Sequence, residues 1–241
     1  MTIWLRSALF NLLFFAWCVF LILTMWLLLP APPRLMRRYV ALWPVGTFRL
    51  LRWITGIEID VRGRERIPPG PVIFASKHQS AWYTMFFLNL DPDTAYVMKA
   101  ELARIPLWGW YARRCRHVLV DRAGGIGAMR DLVRSAREIL AEGRSVVIFP
   151  QGTRTPPGEV GGAYHPGIAA LYAQAGVPIV PVALNSGTVW PRRSFLKRPG
   201  TIVVEFQETV PDGLERKAFM AELERRIEGP TRLLESESRK G

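Results

Sequence analysis

Side chains able to do chemistry are thinly scattered along this chain, and four short stretches gather most of them. His78 lies in Lys77-His78-Gln79-Ser80-Ala81-Trp82-Tyr83, directly after the apolar run Val72-Ile73-Phe74-Ala75-Ser76. An imidazole at the end of a buried strand projects into a cleft, where it can take a proton from a hydroxyl. The plainer alternative for a lone histidine is a structural or surface role. Ser80 does not complete a serine–histidine pair with it, because side chains two apart point to different faces of a strand or helix, and the chain has no G-x-S-x-G elbow. Arg122 closes Val118-Leu119-Val120-Asp121-Arg122, either as a bidentate phosphate ligand or as half of a surface pair with Asp121. In Phe149-Pro150-Gln151-Gly152-Thr153-Arg154-Thr155, Gly152 allows a tight backbone approach and Thr153 and Arg154 offer donors to an anion; a plain turn is the alternative. Val177-Pro178-Ile179-Val180-Pro181-Val182 carries two prolines, which favours an edge strand over a central one.

These stretches need a scaffold, and the pattern of apolar residues predicts one. EIDVRG, VIFAS, AYVMK, HVLVD, SVVIFP, VPIVPVAL and TIVVEF are short apolar runs bounded by turn residues, the signature of strands. Between several of them lie helical patterns, the clearest from Gly127 to Glu142, where Met129, Leu132, Val133, Ala136, Ile139 and Leu140 form one face and Gly143 ends it. Strands alternating with helices predict an α/β fold with a mixed, largely parallel sheet flanked by helices. The final stretch, 212–236, reads as a charged surface helix interrupted at Gly229-Pro230. The expected organisation is therefore a membrane-anchoring segment over 1–57, a catalytic domain over 58–210 and a helical extension over 211–241.

The anchoring segment rests on Ala8 to Leu29, 22 residues without a charge. As a helix this run is about 33 Å long, enough for the hydrocarbon core of a bilayer. Trp4 and Trp26 stand near its ends, and Pro30, Pro32 and Pro33 stop it. It is too long for the apolar part of a signal peptide and no A-x-A site follows. Arg34, Arg37, Arg38, Arg49 and Arg52 follow it against Arg6 before it, which places the rest of the chain on the cytoplasmic side of an inner membrane. Residues 39–57 are apolar and aromatic with two arginines, and suit either an interfacial helix or one packed on the domain.

Composition narrows the partners. The formal charge is +12, with 27 Arg and 5 Lys, and calls for an acidic partner. With no long basic run, no zinc finger and no RNA-recognition motif, a membrane surface is favoured over nucleic acid. Two cysteines, Cys18 and Cys115, provide no disulfide framework, and three histidines without a cysteine cluster or HExxH argue against a metal site.

Taken in order, the four stretches resemble the blocks of the glycerolipid acyltransferase family, and specifically of bacterial 1-acyl-sn-glycerol-3-phosphate acyltransferases: H-x4-D, a block ending in a phosphate-binding Arg, F-P-E-G-T-R, and V-P-[IV]-x-P-[VI]. The resemblance implies that His78 is a general base that deprotonates the acceptor hydroxyl. The acceptor then attacks a thioester carried by acyl-carrier protein or coenzyme A, a co-substrate rather than a cofactor. It further implies that Arg122, Gln151, Gly152, Thr153 and Arg154 hold the acceptor phosphate, and that the product is phosphatidic acid. Another lysolipid acceptor, such as lyso-ornithine lipid, or a lipid-binding member with impaired catalysis are the alternatives.

Two departures stand out. Tyr83 occupies the position of the carboxylate in the first block. A phenol can orient the imidazole, but it compensates the imidazolium more weakly than a carboxylate, so Tyr83→Asp is expected to raise turnover. On a continuous helix residues five apart diverge by about 140°, so His78 and Tyr83 meet only if His78 lies in the loop before a helix. Gln151 replaces the glutamate of the third block, removing a negative charge beside the phosphate site. Arg113, Arg114, Arg116 and His117 form a cluster that suits a phosphate, lipid headgroups or an acidic carrier, or a solvated surface.

Overall fold

The computed structural model describes residues 1–28, 30–121, 124–159 and 162–238. All seven apolar runs form strands of one sheet: β1 (Ile57–Arg62), β2 (Ile73–Ser76), β3 (Ala95–Lys99), β4 (Val118–Val120), β5 (Val146–Ile148), β6 (Ile179–Leu184) and β7 (Gly200–Phe206). Their order is β1-β7-β6-β2-β5-β3-β4, parallel at every pairing except β6 with β7. The helices are α1 (Ile3–Thr24), α2 (Pro33–Val40), α3 (Leu42–Leu50), α4 (Tyr83–Leu90), α5 (Trp108–Arg114), α6 (Gly125–Ala141), α7 (Gly167–Gln174), α8 (Ser186–Val189) and α9 (Arg216–Glu237).

Alternation along the strands divides the core in two. Phe74, Val147, Val180 and Phe206 face one layer with Trp82, Phe86 and Phe87 around α4, while Ile73, Ala75, Val146, Ile148 and Ile179 face the other with α6, α7 and α9. β2 and β5 are buried along their whole lengths, as strands covered on both faces must be. α6 buries Leu132, Val133, Ala136, Ile139 and Leu140 and ends before Gly143, which takes a φ of +78°.

Two expectations are corrected here. β6 lies inside the sheet, between β7 and β2, despite Pro178 and Pro181. The backbone of Pro181 faces the β7 side, where its carbonyl accepts from Gln207 N, and the β6–β7 ladder begins only at Val182 opposite Phe206. The missing N–H therefore falls beyond the ladder and costs no strand pairing. The C-terminal stretch is one continuous helix through Pro230 rather than an interrupted surface helix. Phe219, Leu223, Ile227 and Leu234 give it an apolar stripe that packs on the sheet, and this burial outweighs the hydrogen bond that proline removes.

The N-terminal region forms a hairpin. α1 begins at Ile3, and with the helical turn Met25–Leu28 it is long and apolar enough to cross a membrane. α3 and the turn Leu51–Thr55 return antiparallel to it, with Trp17 donating to Trp43 O at 3.3 Å. The close approach explains Gly46, where a Cβ would stand 2.5 Å from the Trp17 ring. Of the two options for 39–57, packing is what one face does: Thr47, Leu51 and Thr55 are buried, and Phe48 stacks on Trp82 at 5.3 Å. The hairpin also touches the domain near both ends of α1. Asn11 donates to Phe195 O at 3.0 Å and Ser7 accepts from Lys197 N at 2.9 Å; beyond the other end, Arg114 donates to Ala31 O at 3.0 Å and Arg37 pairs with Asp93 at 2.5 Å.

Candidate active site

Parallel strands deliver their C-terminal ends to one edge, and there the first three stretches meet. β2 leads into His78, β4 into Asp121, and β5 into Phe149 to Arg154. β2 and β5 are neighbours in register, Ile73 beside Val146, so His78 and the third stretch emerge side by side. Ligand sites in α/β sheets form in such a crevice at the carboxyl ends of strands. The fourth stretch is β6 itself, whose Val182 carbonyl accepts from Lys77 N at 3.0 Å and braces the residue before His78.

His78 lies in the loop before α4, the condition for reaching Tyr83, and Tyr83 Oη stands 3.0 Å from His78 Nε2. Tyr83 is wholly buried. Phe149 stacks on the His78 ring with centroids 4.7 Å apart and planes 20° from parallel, and contacts Tyr83 at 4.5 Å. The imidazole thus has its plane set by Phe149 and one nitrogen set by a phenol. The direction of that bond follows the imidazole tautomer: Nε2–H donates to Tyr83 Oη in one, and the phenol donates to Nε2 in the other.

The third stretch clamps the backbone of His78 from both sides. Gln151 Oε1 accepts from His78 N at 3.0 Å, and Thr155 N donates to His78 O at 2.8 Å. The Gln151 amide is buried and its Nε2 donates to Glu228 at 3.2 Å, so Gln151 stands behind the histidine loop, on protein partners, rather than facing a phosphate. Gly152 makes the turn at φ +64°, where only glycine is unstrained. Beyond it Thr153 is exposed, and Arg154 lines the cavity beside Gly152 and His78. Partial burial lowers the Arg154 pKa, as desolvation disfavours its charge, and a guanidinium remains charged throughout the working pH range. Arg192 donates to Arg154 O at 3.2 Å. Arg122 lies outside the described residues. Ser80 is a buried structural residue, bonded to Ser186 at 3.0 Å and to Trp82 N at 3.1 Å.

The cavity these groups open on has a volume of about 740 Å³. His78, Gly152, Arg154 and His165 line it together with a long apolar wall that includes Leu88, Val97, Met98, Leu102, Trp108 and Met129. A polar base and cation beside a deep apolar wall suit a substrate with a reacting headgroup and a hydrocarbon tail.

The basic cluster ahead of β4 is resolved into internal ties. Arg113 donates to Ala103 O and Arg114 to Ala31 O, while Arg116 pairs with Glu138 and Glu142. His117 is buried, with Tyr96 N donating to Nδ1 at 3.0 Å and Tyr111 Oη 3.2 Å from Nε2. Burial first, then the Arg144 and Arg37 charges, push its pKa down to about 3.

Comparisons with known proteins place this chain in a family. The family model described as "Acyltransferase" matches residues 58–185. A 1-acyl-sn-glycerol-3-phosphate acyltransferase of Pseudomonas aeruginosa is 37% identical over 179 residues, covering 74% of this chain and 69% of that protein. A lyso-ornithine lipid O-acyltransferase of the same organism is 31% identical over 142 residues, covering 57% of this chain and 54% of that one. The crystal structure of the 1-acyl-sn-glycerophosphate acyltransferase PlsC from Thermotoga maritima superimposes with a TM-score of 0.73 over 98% of both chains at 24% identity, and so shares the fold.

Proposed function

The chain belongs to the acyltransferase family, and on that premise we propose that it transfers a fatty acyl chain from a thioester to the free hydroxyl of 1-acyl-glycerol 3-phosphate, making phosphatidic acid. The observation that carries this is the shared cavity, in which His78 and Arg154 stand at one side of an apolar wall. The acceptor's phosphate is drawn to Arg154, Thr153 and the backbone around Gly152. Its hydroxyl gives a proton to His78, and the oxygen forms a C–O bond with the thioester carbonyl carbon. Collapse of the tetrahedral intermediate breaks the C–S bond, and the imidazolium returns the proton to the departing thiolate. Positioning of two bound substrates accounts for much of the rate. The donor is acyl-carrier protein or coenzyme A, and the apolar wall takes a hydrocarbon chain.

The membrane is the source of the acceptor. α1 exposes apolar side chains over a broad face that includes Leu5, Leu12, Phe15, Val19, Phe20 and Leu23, Trp26 is exposed in the turn after it, and Leu42 and Trp53 are exposed on the returning arm. A helix tied to its own domain near both ends stays beside that domain, which suits an in-plane position in one leaflet of the inner membrane with the domain on the cytoplasmic side.

The test is transfer by the purified protein in detergent, from acyl-carrier-protein and coenzyme A thioesters, to lysophosphatidic acid and to lyso-ornithine lipid. Phosphatidic acid formation by the wild type and its loss in His78→Ala is the expected result. Transfer to lyso-ornithine lipid alone favours the second acceptor, and undiminished transfer by His78→Ala removes the histidine from the mechanism.

A further inference from the structure

α9 lies far from the active site in sequence, yet two of its carboxylates end inside the histidine loop. Glu228 and Glu235 are 3% and 2% exposed on a helix otherwise rich in solvated charge. Seven residues apart, they share the face that packs on the sheet. Glu228 Oε2 pairs with Lys77 Nζ at 2.7 Å, and its Oε1 accepts from Gln151 Nε2 at 3.2 Å and from Tyr164 Oη at 2.8 Å. Gln151 in turn holds His78 N. Glu235 takes Gln79 Nε2 on one oxygen and Gly158 N, at 2.7 Å, on the other.

We propose that Glu228 is a positioning residue for acyl transfer: it fixes the His78 loop through Lys77 on one side and Gln151 on the other, and supplies from α9 the carboxylate that the third stretch lacks. The residues flanking His78 explain the need for it. Lys77 is 1% exposed, and an ammonium taken out of water is stable only when paired and fully hydrogen-bonded. Gln151 is neutral and cannot be the counter-ion, so the charge comes from elsewhere in the fold. Gln151 serves as a relay whose carbonyl oxygen faces His78 N because its NH2 faces Glu228. The arrangement fixes the amide's orientation and with it the height of the imidazole above the cavity.

The inference rests on the acyl-transfer reading above, and wild-type activity in the same assay separates the two. Glu228→Gln is expected to lower kcat about 100-fold, the scale of a reacting group misplaced by about 1 Å. The acceptor KM should stay within about 3-fold, since Arg154 is untouched. Moving the carboxylate to the relay position, in Gln151→Glu combined with Glu228→Gln, keeps a donor facing an acceptor at each contact and should restore kcat to within about 5-fold of wild type. Equal loss in the single and double variants, or wild-type kcat in Glu228→Gln, overturns the proposal. If Glu228→Gln does not fold, Gln151→Met cuts the link to His78 N while leaving the Lys77–Glu228 pair in place. Its loss of kcat supports the role and its wild-type kcat refutes it. Absence of transfer by the wild type counts instead against the acyl-transfer reading.

Discussion

Tyr83 Oη lies 3.0 Å from His78 Nε2, five residues away, because the chain turns from loop to helix between them. A phenol fills the place of a carboxylate, and it does so from a fully buried ring wedged against Phe149. The relationship reverses the expectation that aspartate would improve the site. An aspartate side chain ends several bonds short of the position Tyr83 Oη occupies, and it leaves a void against Phe149. Tyr83→Phe should lower kcat about 10-fold, the worth of one hydrogen bond holding the imidazole. Tyr83→Asp should lower it further, and a gain in turnover would show that the loop re-forms around the shorter acid. Steady-state kinetics of the three proteins decides this.

Arg154 shares the cavity with His78 and the glycine turn, while Lys99, which also lines it, pairs with Glu101, and the expected task of Arg154 is binding rather than chemistry. Arg154→Ala should raise the KM for the lysophosphatidic acid acceptor about 10- to 100-fold with a smaller change in kcat. Arg154→Lys should recover only part of the affinity, because a point charge loses the bidentate geometry. An unchanged acceptor KM would move the phosphate elsewhere.

How much of this was legible in the sequence follows from the range over which each feature is encoded. The seven strands, α6 and the four stretches are local patterns of about 5 to 17 residues, and each appears where its periodicity puts it. Their convergence follows from parallel strands sharing one C-terminal edge. Tyr83 could be tied to His78 conditionally, since helix geometry fixed the requirement. Gln151 was legible as part of a motif but its direction was not, because an amide turns toward whichever partners the fold provides. Glu228 was hidden for the same reason: a carboxylate in a charged helix reads as solvated until the helix face is known. The stripe Phe219, Leu223, Ile227 and Leu234 was the signal that α9 is packed, and the proline at 230 obscured it. Phe149 stood in the third stretch, but nothing in its spacing announces a ring stacked on the base.

The apolar wall sets a limit on the hydrocarbon chain it can hold. Val97 and Leu88 both line the cavity, in the middle of β3 and on α4. Val97→Phe removes depth without touching His78 or Arg154. Transfer of the longest chains accepted by the wild type should fall at least about 10-fold relative to chains a few methylenes shorter, since each excluded methylene forfeits roughly 1 kcal/mol or more. Competition between thioesters of different length measures it, and an unaltered length profile would place the chain elsewhere.

His117 gives the fold an acid sensitivity of definite sign. Its pKa is near 3 when folded and returns to about 6.5 when unfolded. Between these values the unfolded chain binds a proton that the folded protein refuses, so stability conferred above pH 6.5 declines as pH falls toward 3. The slope from this residue alone is up to about 1.4 kcal/mol per pH unit. His117→Gln keeps a hydrogen-bonding side chain between Tyr96 and Tyr111 without the titration. Denaturant midpoints from pH 7 to pH 4 should therefore converge between the two proteins as the pH falls. Parallel curves would show that another group carries the acid loss.

The hairpin's contacts make the side of the N-terminus a measurable quantity. If α1 crossed the bilayer away from its domain, Thr2 and the domain would face opposite compartments. With Asn11 and Ser7 held against Phe195 and Lys197, the start of α1 stays beside the domain, as does Ala31 beyond its other end. In a variant lacking Cys18 and Cys115, single cysteines at Thr2 and at an exposed domain position such as Glu208 should react with a membrane-impermeant maleimide from the same side of sealed membrane vesicles. Replacing Leu12 and Val19 on the exposed face with aspartate should release the protein from vesicles by about 10-fold or more, as buried apolar area and its roughly 25 cal/mol per Å² are lost. Labelling of Thr2 only after the vesicles are opened from the opposite side would restore the spanning arrangement.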